Sequence, residues 1–104
     1  MLILTCEQVE GRRVAEYLGI VSGDAIVGAN MFRDLFARVR DVVGGRAGGY
    51  ENALRGAKDA ALEDLVDEAN NLGADAVIGV DLDYESIGDS MLMVSVNGTA
   101  VRFE

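Results

Sequence analysis

The clearest structural pattern in this chain is the stretch ENALRGAKDAALEDLVDEANNL, residues Glu51 to Leu72. Its apolar residues recur at steps of three, four or seven, which is the spacing of one face of an α-helix. Those residues are Leu54, Ala57, Ala61, Leu65 and Leu72, widened by Leu62, Val66 and Ala69. Gly73 follows, where a helix can end in a left-handed conformation without a Cβ penalty. The sequence therefore predicts a helix roughly 33 Å long, with one covered face and one face in water.

Alternating or β-branched segments on both sides of this helix predict strands. Met1 to Cys6 is typical of a short strand, and Arg13 to Val27 predicts one long bent strand or two strands joined at Ser22–Asp24. Asp75 to Glu85 alternates, and Met91 to Phe103 follows as a final strand. In Asp75 to Glu85, alternation predicts that two sets of side chains lie on opposite faces of the strand. One set is Ala76, Ile78, Val80, Leu82 and Tyr84, and the other is Val77, Gly79, Asp81, Asp83 and Glu85.

A second helix is predicted before the long one. Asn30 is a suitable N-cap, the following MFRDLFARVRDVV has helical spacing, and the glycine-rich loop Gly44 to Gly49 joins the two helices. The order of strands, two helices and a hairpin indicates one α+β domain, residues 1–104, with a largely antiparallel sheet on the helices. The chain has no proline to protect a sheet edge, so an edge is open to assembly.

Composition limits the class of protein. The longest apolar runs are far shorter than the roughly 20 residues of a membrane span, and MLILTC lacks the basic region of a secretory signal. We therefore expect a cytoplasmic protein. Eighteen acids against nine bases give a net charge of −9, which disfavours nucleic acid and anionic membranes as partners. The single cysteine excludes an intramolecular disulfide framework.

The charges are unevenly distributed. Residues 59–101 contain ten acids and no base, whereas residues 31–50 contain Arg33, Arg38, Arg40 and Arg46 against Asp34 and Asp41. The favoured interpretation is two solvated faces. The alternative is that the arginine-rich part contacts the acidic part of a neighbouring copy.

Four segments carry a resemblance to a known family. They are GxxxxGAN (Gly23 to Asn30), FRDLFARVRDVVGGRAGGYE (Phe32 to Glu51), LGADAVIGVDLDYE (Leu72 to Glu85) and SMLMVSVNGTAV (Ser90 to Val101). With these segments in this order, the chain resembles the YbjQ family of small proteins, which carries a heavy-metal-binding label without an established function. The resemblance implies a dodecin-like α/β subunit, in which an antiparallel sheet wraps around a long helix, assembled into a homopentameric ring.

Two candidate metal sites are considered. Alternation predicts that Asp81, Asp83 and Glu85 lie on one face of a strand, with neighbouring members of the set about 6.6 Å apart. Their carboxylate oxygens are suitable ligands for Mg²⁺ or Ca²⁺. A solvated or arginine-paired face is the favoured alternative. Cys6 is the one soft ligand, and a single thiolate does not complete a four-coordinate zinc or cadmium site unless a ring gathers several copies. The favoured interpretation of Cys6 is a small buried apolar residue in a strand.

The loop GGRAGGYE resembles an anion-binding turn. Arg46, Gly48 and Gly49 place backbone N–H groups beside a cation at a helix N-terminus. It matches no known phosphate-binding fingerprint, and a flexible helix connection is the favoured alternative.

No enzymatic site is predicted. The chain has no histidine, which removes the usual base near neutral pH and every histidine-assisted nucleophile. Two functions are left, and no cofactor is identified. One is an oligomeric binding protein for a metal ion or small ligand; the other is a structural or protein-interaction ring.

Overall fold

Four strands and one helix make up the part of the chain that the computed structural model describes, which is residues 1–27, 48–88 and 91–104. They are β1 (Leu2–Ile3), β2 (Val14–Val27), α1 (Gly48–Asn71), β3 (Ala76–Ile87) and β4 (Met91–Phe103). The sheet has the order β1-β3-β4-β2, with antiparallel pairs except between β1 and β3, which run parallel. The α+β prediction is confirmed. The predicted helix after Asn30 lies outside the described residues.

Helix α1 confirms the organising prediction and is slightly longer than expected. It begins at Gly48 and not at Glu51. Buried side chains recur about once per turn, at Ala57, Ala61, Leu65 and Ala69. Gly73 ends the helix with φ +74°, and its amide donates to the Asn70 carbonyl oxygen at 3.0 Å. The small residues on the buried face allow the sheet to approach the helix closely.

Strand β2 is one continuous strand, without a break at Ser22–Asp24. Its irregularities lie earlier, as register shifts between Val14 and Glu16 and between Tyr17 and Gly19. Gly23 instead marks the point where β2 touches α1, because a Cβ there would lie 2.8 Å from the Leu65 amide nitrogen. The Ser22 amide donates to Glu68 Oε2 at 3.2 Å, so the helix also occupies a donor of this strand.

Strand β3 contains a bulge that makes the strict alternation prediction wrong. Ile78 pairs with Thr99, but the next pair is Asp81 with Asn97, so β3 carries an extra residue. Gly79 lies there with φ +60°, a conformation that favours glycine. Val77, Val80 and Leu82 consequently belong to the core against α1, whereas Ala76 and Ile78 pack in a second core on the opposite face. The predicted common face of Ala76, Ile78, Val80, Leu82 and Tyr84 is therefore split.

Candidate functional site

One face of the sheet is turned away from α1, and we call it the open face. Buried β4 residues Leu92, Val94 and Val96 face the helix, so the alternate β4 residues and their cross-strand partners lie on the opposite side. The open face comprises Tyr17, Ile20, Ser22, Asp24 and Ile26 of β2, Asp81, Asp83, Glu85 and Ile87 of β3, and Met91, Met93, Ser95, Asn97 and Thr99 of β4.

The open face carries large apolar side chains in water. Ile20 is 80% exposed, Tyr17 71% and Ile26 59%. Between Ile20 and Ile26, strand β2 carries Ser22 and Asp24. Their cross-strand partners on β4 are Asn97 and Ser95. The face is thus banded, with apolar groups towards both ends and a polar, acidic middle. Exposed apolar groups gathered on one face are typical of an interaction surface.

The three predicted carboxylates of β3 lie together on this face. Asp81, Asp83 and Glu85 are all exposed. A hydrogen bond with Asp81 and repulsion from its charge raise the pKa of Asp83, with smaller contributions from desolvation and Glu85. Asp81 and Asp83 therefore form a close pair of like charges.

The structure brings no larger ligand set together around them. Within residues 1–27, 48–88 and 91–104, no three His, Cys, Asp or Glu side chains are placed to hold a metal ion. Cys6 is exposed, and its thiol donates to the Gln8 carbonyl oxygen at 3.2 Å. The expectation that Cys6 is buried in a strand is wrong, because β1 ends at Ile3 and the chain continues as a loop.

This loop, residues 4–13, covers one end of the open face. Val9 and Val14 pack onto the second core of Ala76, Ile78, Val101 and Phe103. Residues Val9 to Arg12 form a turn, in which the Arg12 amide donates to the Val9 carbonyl oxygen at 3.1 Å. The Arg12 guanidinium lies over the Phe103 ring, 4.3 Å from its centroid.

A groove with two adjoining lobes lies where the loop meets the exposed Tyr17 side chain. The first lobe, of about 500 Å³, is lined by Glu7, Gln8, Tyr17, Ile78, Gly79 and Thr99. The second lobe, of about 310 Å³, shares Glu7, Gln8 and Tyr17 with the first and adds Val9, Arg12, Arg13 and Val14. No periodic signal marks these residues, since the groove depends on contacts between distant parts of the chain.

The predicted anion-binding turn is only partly described. Gly48 and Gly49 open helix α1, so their backbone lies at a helix N-terminus as that prediction requires. Arg46 lies outside the described residues, and the turn stays a prediction. No helix in the described part of the chain is long and apolar enough to cross a membrane.

The geometry defines the class as a small α+β protein with one face of a four-stranded sheet on a helix. A family model, YbjQ_1, with the description "Putative heavy-metal-binding", matches residues 1–104. The chain belongs to this family. The chain is also similar to a crystal structure of a protein of unknown function from Pediococcus pentosaceus ATCC 25745, which belongs to the DUF74 family. That similarity has a TM-score of 0.70 at 18% identity, over 100% of this chain and 98% of the other, and it shows the shared fold.

Proposed function

We propose that this chain is a self-assembling binding protein whose copies associate through the open face, as a homopentameric ring. The observation that carries the proposal is the exposure of Ile20 and Ile26 on that face, apart from Tyr17, which lines the groove beside loop 4–13. Fully burying a side chain of this kind is worth about 1.5–3 kcal/mol. Association also costs translational freedom and side-chain order, so several such groups have to be covered together.

The charges of the open face indicate what a neighbour contributes. Asp24, Asp81, Asp83 and Glu85 lie on it, and none of its described residues is basic. A neighbour that covered these carboxylates without bringing positive charge would bury unpaired anions, which is costly. The sequence has one stretch with an excess of bases, residues 31–46 with four arginines and two aspartates. We propose that this stretch of one copy supplies the counter-charge for the next.

The assembly is tested by sedimentation equilibrium at micromolar protein. Ile20→Gln combined with Ile26→Gln removes two exposed apolar groups, so the fold should persist while the oligomer dissociates. Leu72→Gln is the matched control, since Leu72 is 44% exposed at the end of α1, away from the open face. A wild-type monomer, or an unchanged oligomer in the double variant, would refute this function.

A second candidate function is binding of an oxygen-ligated cation. It is supported by the placement of Asp81 and Asp83 at alternate positions on the open face, because a divalent cation would relieve the repulsion between the two carboxylates. Ligands from a neighbouring copy would complete the coordination that these two carboxylates begin. A soft heavy metal is a poorer match, since each subunit offers one thiol and no imidazole.

A further inference from the structure

The groove beside loop 4–13 is open to solvent and has the volume of a small-ligand site. Its lobes, about 500 and 310 Å³, lie within the size range of small-molecule pockets. The loop wall is tied to β3, because the Gly79 amide donates to the Cys6 carbonyl oxygen at 2.9 Å and the Val80 amide to the Leu4 carbonyl oxygen at 3.1 Å. Arg13, after the turn, is tied to the residue that follows β4, since the Glu104 amide donates to the Arg13 carbonyl oxygen at 2.9 Å. A ligand would therefore meet preformed walls.

Positive charge is concentrated in the second lobe. Arg12 and Arg13 both line it, and neither makes an ion pair with a described residue, whereas Arg102 is paired with Glu16. The flat face of the Arg12 guanidinium lies on the Phe103 ring. The N–H groups along the edge of the guanidinium can therefore donate hydrogen bonds to a ligand. A guanidinium edge matches a carboxylate in two parallel hydrogen bonds. In a chain of net charge −9, two adjacent arginines that form no ion pair with a described residue favour a carboxylate ligand in a concave surface.

The other residues that line the groove restrict the charge and the shape of the ligand. Glu7 lines both lobes and would repel a ligand that carried negative charge alone, but would attract a nearby ammonium group. Tyr17 lies between the lobes with an exposed ring, and Ile78 lines the first lobe. An aromatic ring and an isoleucine are a suitable surface for a flat apolar group.

We propose that this groove binds a small zwitterion with a flat apolar ring, that is, a ligand with the chemistry of an aromatic amino acid. The carboxylate lies on Arg12 and Arg13, the ammonium group near Glu7, and the ring against Tyr17. The site is separate from the carboxylates of β3, and the proposal does not depend on the second candidate function. The subunit association is also tested independently of it, by sedimentation.

The test is a titration of the full chain followed by amide chemical shifts in NMR, with three matched probes. L-phenylalanine has both charges, 3-phenylpropanoate lacks the ammonium group, and 2-phenylethylamine lacks the carboxylate. We expect saturable binding of L-phenylalanine with shifts confined to loop 4–13, Tyr17, Gly79 and Thr99. The other two probes should bind about tenfold more weakly or worse, since each loses a charge-assisted contact.

Variants separate the roles of the lining. Arg13→Gln should weaken L-phenylalanine about tenfold, while Arg55→Gln on the exposed side of α1 should leave binding unchanged. Glu7→Gln should bind 3-phenylpropanoate more tightly than the wild type does, a gain that a misfolded variant cannot give. Tyr17→Phe should retain binding and Tyr17→Leu should weaken it. The proposal is overturned if L-phenylalanine does not saturate, if its shifts lie elsewhere, or if 2-phenylethylamine binds as well as L-phenylalanine.

Discussion

Gly23 of β2 lies against the Ala61 carbonyl oxygen of α1, with no room between them for a side chain. A Cβ at Gly23 would lie 2.8 Å from the Leu65 amide nitrogen and still closer to the Ala61 oxygen. Both obstacles are backbone atoms, which cannot move aside by a change of rotamer. This contact fixes the distance between helix and sheet, and it allows Glu68 to reach the Ser22 amide.

Gly23→Ala should destabilise the fold strongly. Overpacking a well-packed core costs about 1–3 kcal/mol, and here the clash is with the helix backbone, so we expect the upper part of that range or more. Urea unfolding at a fixed protein concentration measures the loss. Gly56→Ala is the control, since it lies within α1 with nothing near a Cβ. That variant should stabilise the fold by about 0.5–1 kcal/mol, and equal midpoints for the two variants would contradict the contact.

Local patterns predicted the long helix and the succession of elements along the chain but not the open face. The period of residues 51–72 and the terminating Gly73 depend on neighbours in sequence, and α1 follows them closely. The bulge at Gly79 depends on how loop 4–13 meets β3, since the Gly79 amide bonds to the Cys6 carbonyl oxygen. No periodicity could show it, and Ala76 and Ile78 were consequently grouped with Val80 and Leu82, from which the bulge separates them.

Only the carboxylates of the candidate site could be predicted from the sequence. Alternation after the bulge is regular, so Asp81, Asp83 and Glu85 share a face as expected. Tyr17 was missed, because the register shift between Tyr17 and Gly19 hides the pattern of β2. Arg12 was missed because its position depends on the Phe103 ring at the other end of the chain. Contacts between distant segments leave no signal in a single sequence.

Asp81→Asn should lower the pKa of Asp83 towards its ordinary value. The hydrogen bond and the negative charge of Asp81 are the main causes of the raised pKa, and Glu85 contributes least. Glu85→Gln is therefore the matched control and should lower the pKa of Asp83 by less. Carboxyl ¹³C chemical shifts followed over acidic pH measure both changes. A larger effect from Glu85→Gln would contradict the proximity of Asp81 and Asp83.

The raised pKa of Asp83 also determines how the stability of the fold should change with pH. Because the pKa of Asp83 is raised in the folded state, the folded chain holds this proton more tightly than the unfolded chain does. The stabilising contribution is fully present below the ordinary aspartate pKa of about 3.9 and is lost as the pH rises through the raised value. In Asp81→Asn this loss should diminish, which thermal unfolding at several acidic pH values would detect.

Moderate salt should weaken the proposed oligomer. If arginines of residues 31–46 contact the carboxylates of a neighbour, screening reduces their attraction. One exposed pair contributes about 0–1 kcal/mol, so Arg40→Ala should raise the dissociation constant modestly, unless the contact is repeated around a ring. Sedimentation velocity at low and moderate salt measures both effects, with Arg55→Ala as the control. An oligomer insensitive to salt and to Arg40→Ala would leave only the apolar part of the proposed interface.

Any metal ion that the chain holds should depend on Asp81 and Asp83 more than on Cys6. The carboxylate pair offers close oxygen ligands, whereas Cys6 is an exposed thiol in a chain with no second cysteine and no histidine. Binding to the folded state stabilises it by mass action, so added Ca²⁺ or Mg²⁺ should raise the melting temperature. Asp81→Asn with Asp83→Asn should abolish that rise, and Cys6→Ser should leave it unchanged. Tight zinc or cadmium binding that disappears in Cys6→Ser would instead require thiols from several copies to meet, and it would assign the heavy-metal label to loop 4–13 and not to β3.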